Sequence, residues 1–191
     1  MNMLTDSHDA VTADWAAALL DFWFNLVGEK GWYSHDPALD RVCSTRFQAL
    51  WDAKRLLAAE RFLDRADDAL AAILLFDQLP RNMFRDDAKA FATDALARDV
   101  ARGALAQGYD IQIGGAGRLF FYMPFMHSEA LDDQALSLTL FESAGDVESL
   151  DFARQHHATI ARFGRFPHRN AALGRQTRPE EVHAAAEGAD W

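Results

Sequence analysis

Residues 69–82 read Ala69-Leu70-Ala71-Ala72-Ile73-Leu74-Leu75-Phe76-Asp77-Gln78-Leu79-Pro80-Arg81-Asn82. The first eight are apolar at every position, so a helix built from them has no face to turn toward water and must lie at the centre of a bundle. The run is far short of the ~20 residues that cross a bilayer. Pro80 lacks an N–H and clashes with the preceding turn, which predicts the end of the helix there. Asp77 and Gln78 follow directly on this apolar surface and should be at least partly buried, and buried polar groups need partners.

Helical spacing continues on both sides of this stretch. Before it, Trp15, Leu19, Phe22, Trp23 and Leu26 recur at three- and four-residue intervals, with Thr12 as the predicted N-cap and Gly28 as the stop. Asp36-Pro37 opens a second helix with the stripe Leu39, Cys43, Phe47, Leu50 and Trp51. Beyond it, Thr93 or Asp94 caps a helix running to Gly108. Two more follow, one over Leu131, Ala135, Leu138 and Phe141 to Gly145, the other over Val147, Leu150, Ala153, His157 and Ile160 to Gly164. Thr177 with Glu180 matches a capping box for a last helix, with Pro179 in its first turn. Ile111 to Gly117 is the least helical passage and reads as an extended segment and turn. The pattern predicts one all-α domain of antiparallel helix pairs over residues 12–187, with 1–11 as an N-terminal tail.

The chain has 191 residues, half of them hydrophobic, which is globular composition. Its formal charge of −10 argues against nucleic acid and against an anionic membrane surface as partners, because both need a basic face. That charge is uneven. From Arg154 to Arg178 there are six Arg, three His and no acid, leaving 13 bases against 29 acids elsewhere. One cysteine, Cys43, excludes an intrachain disulfide, and it reads as a core residue. No base precedes Lys30, so the charged region of a signal peptide is missing, and the sequence predicts a cytoplasmic protein.

Three polar clusters interrupt apolar surroundings, each beside a proline: Asp77 to Asn82 with Arg85 behind it, Pro124-Phe125-Met126-His127-Ser128-Glu129, and Arg162 to Asn170 followed by Arg175. Leu79-Pro80-Arg81-Asn82 is echoed by Phe166-Pro167-His168-Arg169-Asn170. A carboxylate beside His127, whether Glu129 or Asp77, can hold its tautomer. Planar guanidinium groups pair with carboxylates or phosphates through two parallel hydrogen bonds. These blocks, together with Leu19-Leu20-Asp21-Phe22-Trp23-Phe24, resemble in order and spacing the bacterial family called domain of unknown function 924, from about residue 15 to Glu181. Met126 and Gln176-Thr177-Arg178-Pro179 depart from its pattern. The resemblance implies a tetratricopeptide-like fold, a right-handed superhelical bundle of helix pairs, and it implies no activity.

The leading functional expectation is a binding protein for a small anionic ligand or an acidic peptide. Arg81, Asn82, Arg165, His168, Arg169 and Asn170 would line one polar cleft with Asp77, His127 and Glu129. Alternatively, Arg and Asn tie helix ends together through Asp77, Glu129 or free carbonyls. An enzyme is the second functional expectation, a hydrolase or isomerase in which His127 is acid or base and Glu129 or Asp77 orients it. A third is a protein–protein adaptor with an exposed apolar groove around Phe120 to Phe125. Neither a cofactor nor a metal is expected. Candidate ligands His127, Glu129, His156 and His168 match no zinc spacing, and Gly114-Gly115-Ala116-Gly117 lacks the strand and long helix of a dinucleotide site.

Overall fold

A computed structural model of the chain describes residues 14–187. It is all-α, with no strand among the described residues. The N-terminal half comprises α1 (Trp15–Asp21), α2 (Glu29–Trp32), α3 (Pro37–Lys54), α4 (Ala66–Ile73) and α5 (Leu79–Met83). It continues through α6 (Asp94–Ala106), α7 (Tyr109–Ile113), α8 (Gly115–Phe120) and α9 (Met123–Met126). The long helices α10 (Leu131–Ala144) and α11 (Val147–Phe163) follow, and α12 (Val182–Glu187) closes the described chain.

The quoted stretch is the centre of the molecule. Every residue from Ala69 to Phe76 is buried, and they belong to one apolar cluster that reaches from Ala16 to Ala153. Pro80 does not end the helix as the sequence predicts. A π-helical turn over Leu74–Gln78 widens the backbone, and Pro80 then sits in the first turn of α5, where its missing N–H costs little. The Phe76 carbonyl, four residues before that missing N–H, accepts from the Thr93 hydroxyl at 2.7 Å. Thr93 therefore serves as the N-cap position of α6 without capping it by its side chain.

Local chemistry explains most other boundaries. Asp36 caps α3 by accepting from Ala38 N at 2.8 Å, and Asp146 caps α11 through Ser149 N at 2.7 Å. Gly145 and Gly164 end α10 and α11 in the left-handed conformation, at φ 73° and 69°. With Gly145 and Asp146 alone between them, α10 and α11 fold back on each other as an antiparallel pair.

Five expectations change. Thr12 lies outside the described residues, and Asp14 caps α1, accepting from Ala17 N at 3.3 Å. A second π-helical turn, Phe22–Val27, shifts the phase of the first stripe, so Leu26 ends up 65% exposed. Ile111 to Gly117 is helical rather than extended: α7 and α8 meet at Gly114, whose φ of 64° makes the corner. The last capping box joins Arg178 and Glu181, not Thr177 and Glu180, because Pro179 starts the turn one residue later. The aromatic run Phe120 to Phe125 is buried, so the surface groove of an adaptor is not formed there.

Candidate functional site

The wide turn over Leu74–Gln78 carries Asp77 into the interior, where its residue is 0% exposed. Three side chains meet its carboxylate. His127 Nδ1 lies 2.9 Å from both oxygens, Gln78 donates to Oδ2 at 2.6 Å, and Arg81 Nη1 is 3.4 Å from Oδ1 while also donating to the Asp77 carbonyl. Burial pushes this carboxyl up, but Arg81 and His127 outweigh it and hold it well below the usual carboxylate range. An ionised carboxylate can only accept, so His127 donates from Nδ1, and its lone pair is on Nε2. Among the described residues no hydrogen bond engages Nε2, and the side chain is 14% exposed.

Arg81 reaches across to Asp94, with its two terminal nitrogens 3.2 and 3.3 Å from the carboxylate oxygens. Arg169 meets the same carboxylate from the far end of the chain, at 3.3 Å. Its guanidinium lies between the rings of Phe91 and Phe166, 4.6 and 4.5 Å from their centroids. The residue is 6% exposed, and its buried Nε has no hydrogen-bond partner. Burial lowers its pKa to about 10 against the opposing pull of Asp94.

Arg81 and Arg169 hold equivalent places in the two echoing stretches, and both converge on Asp94 at the start of α6. A carboxylate there also faces the positive end of the helix.

Two more histidines border the centre. His156 packs against His127 and Phe166, with ring centroids 6.1 and 5.4 Å away, and His168 lies over Phe166 at 5.5 Å. All three imidazoles titrate low. Burial is the leading cause in each, with neighbouring cations adding to it, and it brings His156 to about 3 and His168 to about 4; for His127 the Asp77 carboxylate opposes the fall. The sequence places His157 on the buried stripe of α11. The structure buries His156 instead, in line with Ala153, Ile160 and Phe163, whose steps of three, four and three residues follow one face of the helix.

The predicted site residues therefore divide. Asp77, Arg81, His127 and Arg169 come together, with His168 one ring away. Asn82 does not join them: it donates to Asp40 at 2.8 Å, beside Arg85. Glu129 is held by Arg175 at 2.8 and 3.0 Å and by Phe166 N at 2.7 Å, so it does not orient His127. Arg165 grips Glu181 with two bonds of 2.7 Å, and Asn170 reaches the same carboxylate at 3.1 Å. These three networks tie chain segments together. Sequence reasoning missed Asp94, read only as a possible cap, along with Phe91 as a wall of the site.

A surface groove of about 480 Å³ opens farther along α6, lined in part by Glu60, Leu63, Asp99 and Arg102. Its arginine is held by Asp133. No group of three or more His, Cys, Asp or Glu among the described residues is placed to hold a metal ion.

The chain matches the sequence pattern of a family described as a bacterial protein of unknown function, DUF924, over residues 19–189. Among curated proteins there is no match. A solved structure from Agrobacterium tumefaciens, also of a protein of unknown function, is 40% identical with a TM-score of 0.84, and the similarity covers 93% of this chain and 99% of that one.

Proposed function

Since the chain belongs to the DUF924 family of bacterial proteins of unknown function, its role must be argued from its own side chains, and we propose that it binds a small carboxylate-bearing ligand at Arg169. The observation that carries this reading is the unpartnered, buried Nε of a guanidinium that lies against two phenyl rings and is paired at one terminal nitrogen with Asp94. A buried donor left unmade costs about 1–3 kcal/mol, and the Nε edge of a guanidinium is shaped for the two oxygens of a carboxylate. The ligand's acid group supplies the missing acceptor. A free small acid or the acidic end of a peptide presents the same chemistry.

The test is thermal stabilisation by succinate, acetate and inorganic phosphate, with chloride at matched ionic strength as control. Succinate should raise the melting temperature, and Arg169→Lys, which keeps the charge but loses the planar fork, should abolish the rise. If the variant does not fold, the Nε–H resonance of Arg169 in the wild-type protein is the readout. It should shift on adding succinate, and no shift at saturating acid refutes the proposal.

A second reading is favoured by the two 2.9 Å contacts between Asp77 and His127 Nδ1. A carboxylate that fixes an imidazole with its other nitrogen open is the arrangement of a general base. Here His127 would act on the molecule that Arg169 holds.

A further inference from the structure

Resting on that second reading, we propose that the centre hydrolyses an acyl ester that carries a separate carboxylate: Arg169 holds the carboxylate, and His127 activates the attacking water. Three observations carry the reaction class. First, Asp77 fixes the His127 tautomer, so the nitrogen lone pair is at Nε2, on a side chain that water reaches. Asp77 is a positioning residue, because it is sealed and touches only protein.

Second, the described residues supply no covalent nucleophile beside the base. Ser128, next to His127 in the chain, gives its hydroxyl proton to Asp133 at 2.7 Å and accepts from Ala130 N at 3.2 Å. Cys43 is buried in α3, with its thiol pushed up to about 12 by burial and Asp40. Water is the nucleophile that remains. An imidazole can take a proton from water as the oxygen attacks, whereas a C–H bond beside a carboxylate is far too weak an acid for so modest a base.

Third, the walls around Arg169 suit an amphiphilic acid. Phe91 and Phe166 lie against the guanidinium, their ring centroids 4.6 and 4.5 Å from it, so the surroundings of Arg169 are aromatic and suit an acid whose carboxylate is followed by a short apolar chain.

The step balances without another reactant. Nε2 takes one proton from water as the oxygen bonds to the acyl carbon. The C–O bond to the alcohol then breaks, and the leaving oxygen takes that proton back from Nε2. The products are a second carboxylic acid and an alcohol, with His127 restored.

The probes are mono(4-nitrophenyl) glutarate and, as the uncharged control, 4-nitrophenyl acetate. The wild-type protein should release nitrophenolate from the glutarate ester well above the buffer rate, with kcat/KM about tenfold or more over the acetate. His127→Gln should lower kcat about 100-fold or more with little change in KM, while Arg169→Lys should raise KM for the glutarate ester and erase the preference. If either variant fails to fold, the wild-type pH–rate profile decides, since its limb should coincide with the His127 ring titration followed by NMR. A wild-type rate equal to buffer, a His127→Gln rate equal to wild type, or a limb elsewhere overturns the proposal. Calorimetry with glutarate separates the two ideas. Binding without hydrolysis removes the esterase and leaves the carboxylate site, and absence of both binding and turnover removes both.

Discussion

The stability of this fold should collapse on mild acidification, earlier than its carboxylates alone would dictate, and His156 and His168 set the size of the effect. Both are neutral in the native state. His156 donates from Nδ1 to the Phe152 carbonyl at 2.8 Å and stands among His127, Phe166 and Arg169, and burial brings it from its ordinary 6.5 to about 3. His168 falls to about 4, through burial and then Arg169 and Arg81. A histidine whose folded pKa is depressed leaves the unfolded chain to take up the proton first. The stability it contributes is complete above pH 6.5 and is lost as the pH falls toward the folded values. Each group then costs up to about 1.36 kcal/mol per pH unit, so the two together remove about 5 kcal/mol between pH 7 and pH 4.5. That is a large share of the roughly 5–15 kcal/mol that holds a domain. Asp77 and Glu181 are held low by their arginines and add losses of the same sign, but mostly below pH 4.5, where the unfolded carboxylates begin to protonate. Urea unfolding at half-unit steps from pH 7 to 4.5 reads the slope directly. His156→Phe keeps a ring beside Phe166 and should halve that slope. An unchanged slope in the variant, or a His156 ring titration near 6.5 in the folded wild-type protein, refutes the reasoning.

Two further outcomes are expected from the same geometry. Thr93→Val keeps the shape of a buried side chain but strands the Phe76 carbonyl and the Trp51 indole N–H, which lies 3.1 Å from the hydroxyl, so it should cost about 1–3 kcal/mol in urea unfolding. Arg165→Gln should lower the melting temperature by loosening the grip on Glu181, while the stabilisation by succinate stays the same; loss of the succinate response would move the ligand site to Arg165.

How far the fold was legible depends on whether its cause is local. Asp36-Pro37, Gly145 and Gly164 act within one turn, and each marks the boundary that the sequence predicts. The two π-helical turns act differently. A reading at 3.6 residues per turn has no means of seeing them, and each breaks the expected register: Leu26 turns to the surface, and α5 continues past Pro80. Within the wide turn at Leu74–Gln78 the Phe76 carbonyl is taken up by the Thr93 hydroxyl, and Thr93 lies 17 residues beyond it. The site shows the same division. Its residue types stand out as polar groups set in apolar sequence, so Asp77, Arg81, His127 and Arg169 could be named. Their pairing could not, because Asp77 meets His127 across 50 residues and Asp94 meets Arg169 across 75. His127 thus pairs with the distant Asp77 rather than with Glu129 two residues away, which is drawn off by Arg175 and the Phe166 N–H.

The uneven charge finds its physical meaning in this pairing. Of the six arginines between Arg154 and Arg178, Arg154 meets Asp151, Arg165 and Arg178 share Glu181, Arg175 takes Glu129 and Arg169 takes Asp94. Arg162 alone among them has no ion pair among the described residues and lies over the Phe163 ring, exposed to solvent. The acidic body therefore neutralises the basic segment inside the fold, which removes a basic surface as the reason for the segment. Sharing is what leaves something over. At Asp94 two guanidinium groups from the echoing stretches divide one carboxylate, and Asp77, which balances the second, is also bound to His127. Protonating His127 would place three cations on two carboxylates in a buried centre, so the imidazole stays neutral and its lone pair stays available. A carboxylate bound at Arg169, as proposed, would reverse that balance by adding the third negative charge. The same contact that satisfied the stranded Nε would raise the basicity of His127, and ligand binding and proton uptake would then be coupled by charge.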